Sequence, residues 1–298
     1  QGFPGGTGYH LSNVYVYGGG GGGASAAGTN APGSGAPLTG NTAGNGGDGY
    51  TVSILGPTLP AAFAGGGGGG AQGGPNDATG GNGGLGGGGA GVSQPAGTAR
   101  TGGAGYNAGE NYPNPENLGG KGGYSTGGGG GGSGTPTGTF GGHGGSGIVV
   151  ARYKLAAMTT DAKATGGNIS FYDDKTIHVF TTSGTFVNPA PISNVEVVMV
   201  AGGGAGGNNI GGGGGAGAVL ESPGTGFTFP NNTYTITVGA GGAGIEHKGP
   251  TTPGFASNTT ISYPGPYTWT AQRGGHGASY PNIASQSGGS GGGGASDV

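Results

Sequence analysis

The sequence contains no cysteine and very little charge. The absence of cysteine excludes disulfide bonds, thiolate metal sites and thiol catalysis. Eight Lys and Arg against eleven Asp and Glu give a formal net charge of −3, so we expect no nucleic-acid partner and no anionic-membrane partner. The apolar runs, such as 195–201, are strand-length and fall short of the ~20 residues that a membrane-spanning helix needs. We therefore expect no membrane insertion.

The chain also has too few apolar residues for an ordinary enzyme core, because glycine takes their place. Glycine supplies 90 of 298 residues, and hydrophobic residues make up 31%, against about 45–50% in a typical protein. Collagen needs Gly at every third position, and the uninterrupted runs 18–23 and 65–70 exclude it. No nucleophile elbow or phosphate-binding loop stands out from the glycine background. The sequence predicts no enzyme and no cofactor.

Several tracts repeat two glycines and one free residue, a period of three. That period matches an extended left-handed helix with three residues per turn and no internal hydrogen bonds. Two of its three faces carry no side chain, so neighbouring helices can approach until their backbone N–H and C=O groups pair. We therefore predict a sandwich of stacked, laterally hydrogen-bonded polyglycine helices of the polyproline II type. The predicted structural positions are Gly83, Gly84, Gly86, Gly87, Gly119, Gly120, Gly122, Gly123, Gly141, Gly142, Gly144 and Gly145.

Short β-branched and aromatic segments interrupt the glycine tracts, and long helical patterns are absent. These segments read as strands bounded by Gly, Pro and Asn. The predicted fold class is all-β or irregular, with short β-strands framing the polyglycine sandwich and essentially no α-helix. We predict a Gly-rich module half at 1–153, a linker at 154–165 and a second half at 166–298. The strand segments are 14–17, 49–55, 147–153, 176–180, 194–200 and 234–238.

The candidate binding residues are aromatic residues in loops rich in Pro and Asn. Flat rings beside amides suit sugar recognition, and binding residues often lie in loops on a rigid scaffold. The alternative is that these rings pack against the ends of the glycine layers or form subunit contacts. We expect no metal site, because His143 and His276 are scattered without zinc-type spacing, and 173–175 resembles a hairpin turn. The candidate ligand-binding residues are Tyr112, Tyr263, Tyr267, Trp269 and Tyr280.

Three segments resemble the glycine-rich domains of bacteriophage tail-fibre and related virion proteins. Residues 177–186 and 195–207 are similar to the opening of such domains, and 141–153 is similar to their closing strand. The resemblance implies a polyglycine-helix sandwich, a virion location and attachment to a bacterial surface glycan or outer-membrane protein. It implies no catalytic residues.

The segment similar to the closing strand, 141–153, comes before the segments similar to the opening, 177–186 and 195–207. The order of the segments is therefore the reverse of the order in that family. Two explanations remain open: the chain is one period of a longer repeat protein, or it is a subunit that polymerises head to tail. The absence of an initial Met predicts a processed product or a segment of a longer chain. The leading functional prediction is a non-enzymatic adhesive tail-fibre protein. The alternative is a self-assembling subunit of an extracellular filament.

Overall fold

The structure is a computed structural model, and in its described residues the fold is all-β with no helix. No helix in this described part is long and apolar enough to cross a membrane. The described residues are 2–12, 15–33, 41–56, 61–73, 78–94, 98–116, 118–134, 140–155, 162–222, 227–244, 253–263, 268–280 and 283–295.

The β-strands are short and fall where β-branched and aromatic residues interrupt the glycine. In chain order they are β1 Tyr9–Ser12, β2 Tyr15–Tyr17, β3 Tyr50–Val52, β4 Ala61–Phe63, β5 Ala71–Gln72, β6 Ile148–Lys154, β7 Asn168–Tyr172, β8 Lys175–Phe180, β9 Gly184–Asn188, β10 Ile192–Ser193, β11 Glu196–Val200, β12 Val219–Glu221, β13 Thr228–Phe229, β14 Asn232–Thr237, β15 Thr259–Ser262 and β16 Thr268–Ala271. Each of the six predicted strand segments overlaps one of these strands, with ends that differ by up to three residues, which confirms that part of the sequence analysis.

Two antiparallel sheets carry most of the strand pairing. A five-stranded sheet has the order β12-β11-β6-β8-β7, and a four-stranded sheet has the order β16-β15-β14-β9. Smaller sheets are β1-β2-β5, β3-β4 and β10-β13. Strand β6 comes from the first half of the chain and pairs with β11 and β8 from the second half. The two halves therefore share one sheet.

The five-stranded sheet has an apolar core on each face, because its strands alternate side chains between the faces. Val149 and Met199 lie in a core with Phe186, Tyr234 and Ile261 of the four-stranded sheet. On the opposite face, a second core joins residues of β6 and β11 to the β3-β4 hairpin region of the first half; it includes Val150, Val198, Val52, Ile54 and Phe63. The sheet is thus a central layer.

Beyond the sheets, the glycine tracts bond laterally with a period of three. Within the tract 65–70, Gly66 and Gly69 donate to Gly47 O and Gly44 O at 2.8 Å. Residues one position later, Gly67 and Gly70, donate to the tract 211–214. Gly65 and Gly68, one position earlier, donate to 86–89. Each tract residue thus faces one of three neighbouring tracts, and every third residue returns to the same neighbour.

Tracts from both halves of the chain are mixed in this bundle. Gly67 N–H donates to Gly214 O at 2.9 Å, and Gly130 N–H donates to Gly204 O at 3.0 Å. Residues near the two ends also lie side by side, since Gly294 N–H donates to Gly6 O at 2.8 Å. The opening and closing segments, which the sequence presents in reverse order, therefore complete each other within one chain.

Candidate functional site

An aromatic cluster lies at one end of the four-stranded sheet and includes two of the predicted binding residues. The ring centroids of Trp269 on β16 and Phe227 are 4.5 Å apart. Phe229 on β13 meets Tyr234 on β14 edge to face at 4.6 Å. The ring of Tyr263, just after β15, lies 5.4 Å from that of Tyr234. Offset and edge-to-face pairs of this kind add about 0.5–1.5 kcal/mol each beyond their burial.

Two cavities flank the cluster, and both are lined by Phe227 and Trp269. The first, of about 180 Å³, is lined by Phe227, Thr228, Phe229, Pro230, Tyr234, Ile261, Tyr263 and Trp269. The second, of about 240 Å³, is lined by Val197, Met199, Leu220, Glu221, Ser222, Phe227 and Trp269. We call this pair of cavities the Trp269 cleft.

Few polar groups of the Trp269 cleft are available to a ligand. The Ser222 hydroxyl donates to Val195 O at 3.2 Å and accepts from Val197 N–H at 2.8 Å. The Tyr234 hydroxyl donates to Pro230 O at 2.9 Å, and burial raises its pKa to about 12, so it stays protonated at neutral pH. The remaining polar groups among the described lining residues are the side chains of Glu221 and Thr228, the Tyr263 hydroxyl and the Trp269 indole N–H. The cleft can therefore hold the apolar face of a ring and form a small number of hydrogen bonds.

Two of the other predicted aromatic residues, Tyr112 and Tyr280, do not line this cleft. Tyr112 is 1% exposed and its hydroxyl donates to Ser93 O at 3.2 Å, so its ring is not available to a ligand. Tyr280 lies at a glycine-tract bend, where its carbonyl accepts from Asn209 Nδ2 at 2.9 Å. Tyr267 is outside the described residues. Among the four predicted residues that the structure describes, Tyr263 and Trp269 are therefore the two brought together.

Sequence reasoning missed Phe227 and Phe229, because the alternating segment 227–229 is only three residues long and lies between Gly226 and Pro230. It also missed a buried polar chain below the cleft. His178 is fully buried, with Nε2 2.9 Å from the Tyr153 hydroxyl and Nδ1 2.7 Å from Gly166 O. Nδ1–H donates to that carbonyl, which leaves Nε2 to accept from Tyr153. Burial lowers the pKa of His178, and the bond to Gly166 O raises it by less.

No metal-binding arrangement is present in the described part of the chain. No group of three His, Cys, Asp or Glu residues there could hold a metal ion. His143 Nδ1 accepts from Gly244 N–H at 3.2 Å, and His276 Nδ1–H donates to Gly277 O at 3.0 Å. Both imidazoles thus bond to the glycine backbone.

The predicted structural glycines lie in the bundle, with one departure. Gly120 N–H donates to Ala90 O and Gly145 N–H to Gly128 O, both at 2.7 Å. Gly86 and Gly87 instead have φ of +100° and +89° and follow Leu85 in a turn. A polyproline II helix needs φ near −75°, so the predicted extended helix does not continue through these two residues. The remaining predicted glycines that donate laterally from N–H are Gly83, Gly84, Gly119, Gly122, Gly123, Gly142 and Gly144.

Residues 181–298 match the family described as a glycine-rich domain. The match supports a glycine-rich domain in this part of the chain, which holds β9–β16, the Trp269 cleft and the tracts 202–217. No curated protein and no solved structure matches the chain.

Proposed function

We propose that this chain is a non-enzymatic structural and adhesive fibre protein of a bacteriophage tail. A rigid polyglycine sandwich holds loops and the Trp269 cleft for attachment to the host bacterial surface. The partner is a surface glycan or an outer-membrane protein. The observation that carries the proposal is the lateral hydrogen bonding of the glycine tracts with a period of three. Such a bundle gives rigidity without a large apolar core or disulfide bonds.

The bonding pattern supports tracts of the polyproline II type. A helix with three residues per turn directs successive N–H groups about 120° apart. This matches Gly65, Gly66 and Gly67, which donate to three different tracts. Each net hydrogen bond contributes about 0.5–1.5 kcal/mol, against about 1–2 kcal/mol for ordering one residue. The two contributions are of similar size, so a tract is stable only where neighbouring tracts bond to nearly all of its N–H and C=O groups.

The Trp269 cleft supports an adhesive role for part of this surface. An aromatic wall with few free polar groups fits the apolar face of a sugar ring or an apolar side chain of a surface protein. The Phe227–Trp269 pair also packs on the core that links the two large sheets. Packing and recognition are therefore separable only by experiment.

The test combines electron microscopy of the native assembly with a cell-binding assay. Fibres attached to phage tails, together with binding to bacteria of one strain, support the proposal. A Trp269→Ala variant that remains folded at the assay temperature, although less stable, and loses cell binding places recognition at the cleft. Trp269→Phe, which keeps a ring there, is the matched control. Free particles that bind no bacterial strain across a host panel contradict the proposal.

A second candidate function is a self-assembling subunit of an extracellular filament. The exposed strand β7 at the edge of the five-stranded sheet favours it, because uncovered edge strands are sites of chain association. Free filaments formed by the purified chain alone support this candidate. A chain that stays monomeric at all concentrations contradicts it.

A further inference from the structure

Strand β7 is an edge strand with none of the features that usually prevent association. It lies at the end of the five-stranded sheet, next to β8 alone among the described strands. All five residues of Asn168–Tyr172 are exposed, and none is charged or proline. Phe171, Tyr172 and Ile169 are 47%, 42% and 40% exposed. Natural edge strands are usually protected by charge, proline or bulges, and its pairing with β8 is regular over all five residues.

The hairpin turn fixes which backbone groups of β7 face outward. Asp173 and Asp174 have φ of 46° and 58°, as a two-residue type I′ turn requires. The residues that flank such a turn, here Tyr172 and Lys175, bond to each other. Alternate residues then face the partner strand, so Ser170 and Asn168 also bond towards β8. The N–H and C=O groups of Ile169 and Phe171 therefore point away from the sheet.

The sequence of β7 is complementary to itself about Ser170. When two copies pair antiparallel with Ser170 opposite Ser170, Ile169 of each copy lies opposite Phe171 of the other. Both residues carry outward backbone groups, so they form hydrogen-bonded pairs. Aromatic and β-branched residues are favourable cross-strand partners. A shift of two residues loses both of these pairs, since it places Phe171 opposite Gly167 in one direction and Ile169 opposite Asp173 in the other.

The charges near β7 are compatible with this register. The acidic turn at Asp173 and Asp174 of one copy comes opposite Gly167 and Gly166 of the other. Neither of those two positions carries a charge, so the register brings no like charges opposite each other. A pairing about a two-fold axis uses the same strand on both copies and closes on itself.

We infer that β7 binds β7 of a second copy of this chain, in antiparallel register about Ser170, to join two five-stranded sheets. The inference rests on the second candidate function, self-assembly, and names one of its interfaces. A closed two-fold contact joins copies in pairs, so a filament needs another contact in addition.

A cysteine scan tests this register sharply, because the chain has no cysteine of its own. Residues opposite each other in a non-hydrogen-bonded pair have Cα atoms about 4.5 Å apart, within disulfide range. Ser170→Cys should form a disulfide dimer on mild oxidation. Asn168→Cys should not cross-link alone and should cross-link when mixed with Tyr172→Cys. Thr235→Cys, exposed on the central strand β14, is the matched control.

Sedimentation of the wild type and of Ser170→Lys provides the second readout. Two lysines opposite each other at the two-fold axis should weaken the dimer by about tenfold or more, with an unchanged melting temperature. The inference is overturned if Ser170→Cys cross-links no more than Thr235→Cys, or if Asn168→Cys alone cross-links as well as the mixture. If the wild type still assembles in either case, β7 is not the interface but self-assembly stands. If the wild type never associates, both the β7 interface and the second candidate function are ruled out.

Discussion

Replacing Gly131 with alanine adds one methyl group to a place where three glycine tracts meet. The new Cβ would lie closer than 3.0 Å to the carbonyl group of Ala90, a separation that real Cβ atoms essentially never show. The φ of Gly131 is outside the left-handed range, so the backbone conformation itself accepts alanine. The damage therefore comes from contact with a neighbouring backbone, which cannot move aside like a flexible side chain.

The expected cost follows from the hydrogen bonds around that contact. Gly131 N–H donates to Gly120 O at 2.8 Å, Gly142 N–H donates to Gly131 O at 2.8 Å, and Gly120 N–H donates to Ala90 O at 2.7 Å. Separation of the tracts weakens all three, at about 0.5–1.5 kcal/mol each. Alanine also raises the free energy of unfolding by about 0.4–1 kcal/mol, because it restricts the conformations of the unfolded chain. We expect Gly131→Ala to lower the free energy of unfolding by about 1–4 kcal/mol.

Urea unfolding followed by Trp269 fluorescence and circular dichroism measures this change. Gly184→Ala is the matched control, because its Cβ would meet only the Phe180 ring at an ordinary 3.8 Å. That variant should be as stable as the wild type or slightly more stable. Equal stability of Gly131→Ala and Gly184→Ala would refute the reasoning, since it would mean that the tracts are not in close contact.

Two further predictions concern the second half of the chain. Trp269→Ala should lower the free energy of unfolding by about 1–3 kcal/mol, because a partly buried ring is removed from Phe227; denaturant titration measures it, and an unchanged midpoint would contradict the packing. The pKa of His178 is lowered in the folded state, so stability should be full above pH about 6.5 and fall as pH decreases below that value. The slope has an upper limit of about 1.4 kcal/mol per pH unit for one proton and should disappear in His178→Phe; an equal slope in that variant would disprove the assignment.

The strands and the period of three were predictable from local sequence, whereas the partners of each element were not. The β-branched and aromatic residues of β6, β11 and β14 predict strands, whichever partners those strands have. The X-Gly-Gly repeats predict lateral hydrogen bonding between tracts, because two of every three residues carry no side chain that would keep the backbones apart. However, the tracts 65–70 and 211–217 have nearly the same composition, so nothing local determines which tract lies next to which. Those neighbours depend on the lengths of the connections and on the sheets that orient the tracts.

The candidate site was only partly predictable for a related reason. Trp269 and Tyr263 stand out as aromatic residues in loops, but their partners Phe227 and Phe229 come from a short strand about forty residues away in sequence. Tyr112 is followed by Pro, as Tyr263 is, and is buried instead. Local composition does not distinguish these outcomes, because burial depends on which tract covers the ring.

Hydrogen–deuterium exchange of the native protein tests the bonded glycine bundle most directly. The account predicts that amides of the central tracts 65–70, 128–133 and 211–217 exchange as slowly as those of β6 and β11, since nearly all of these tracts' N–H groups donate to neighbouring tracts. Amides that open only with global unfolding exchange at the rate set by overall stability. Exchange of the glycine tracts within seconds, beside protected strands, would show that the tracts are not hydrogen-bonded and would contradict the account.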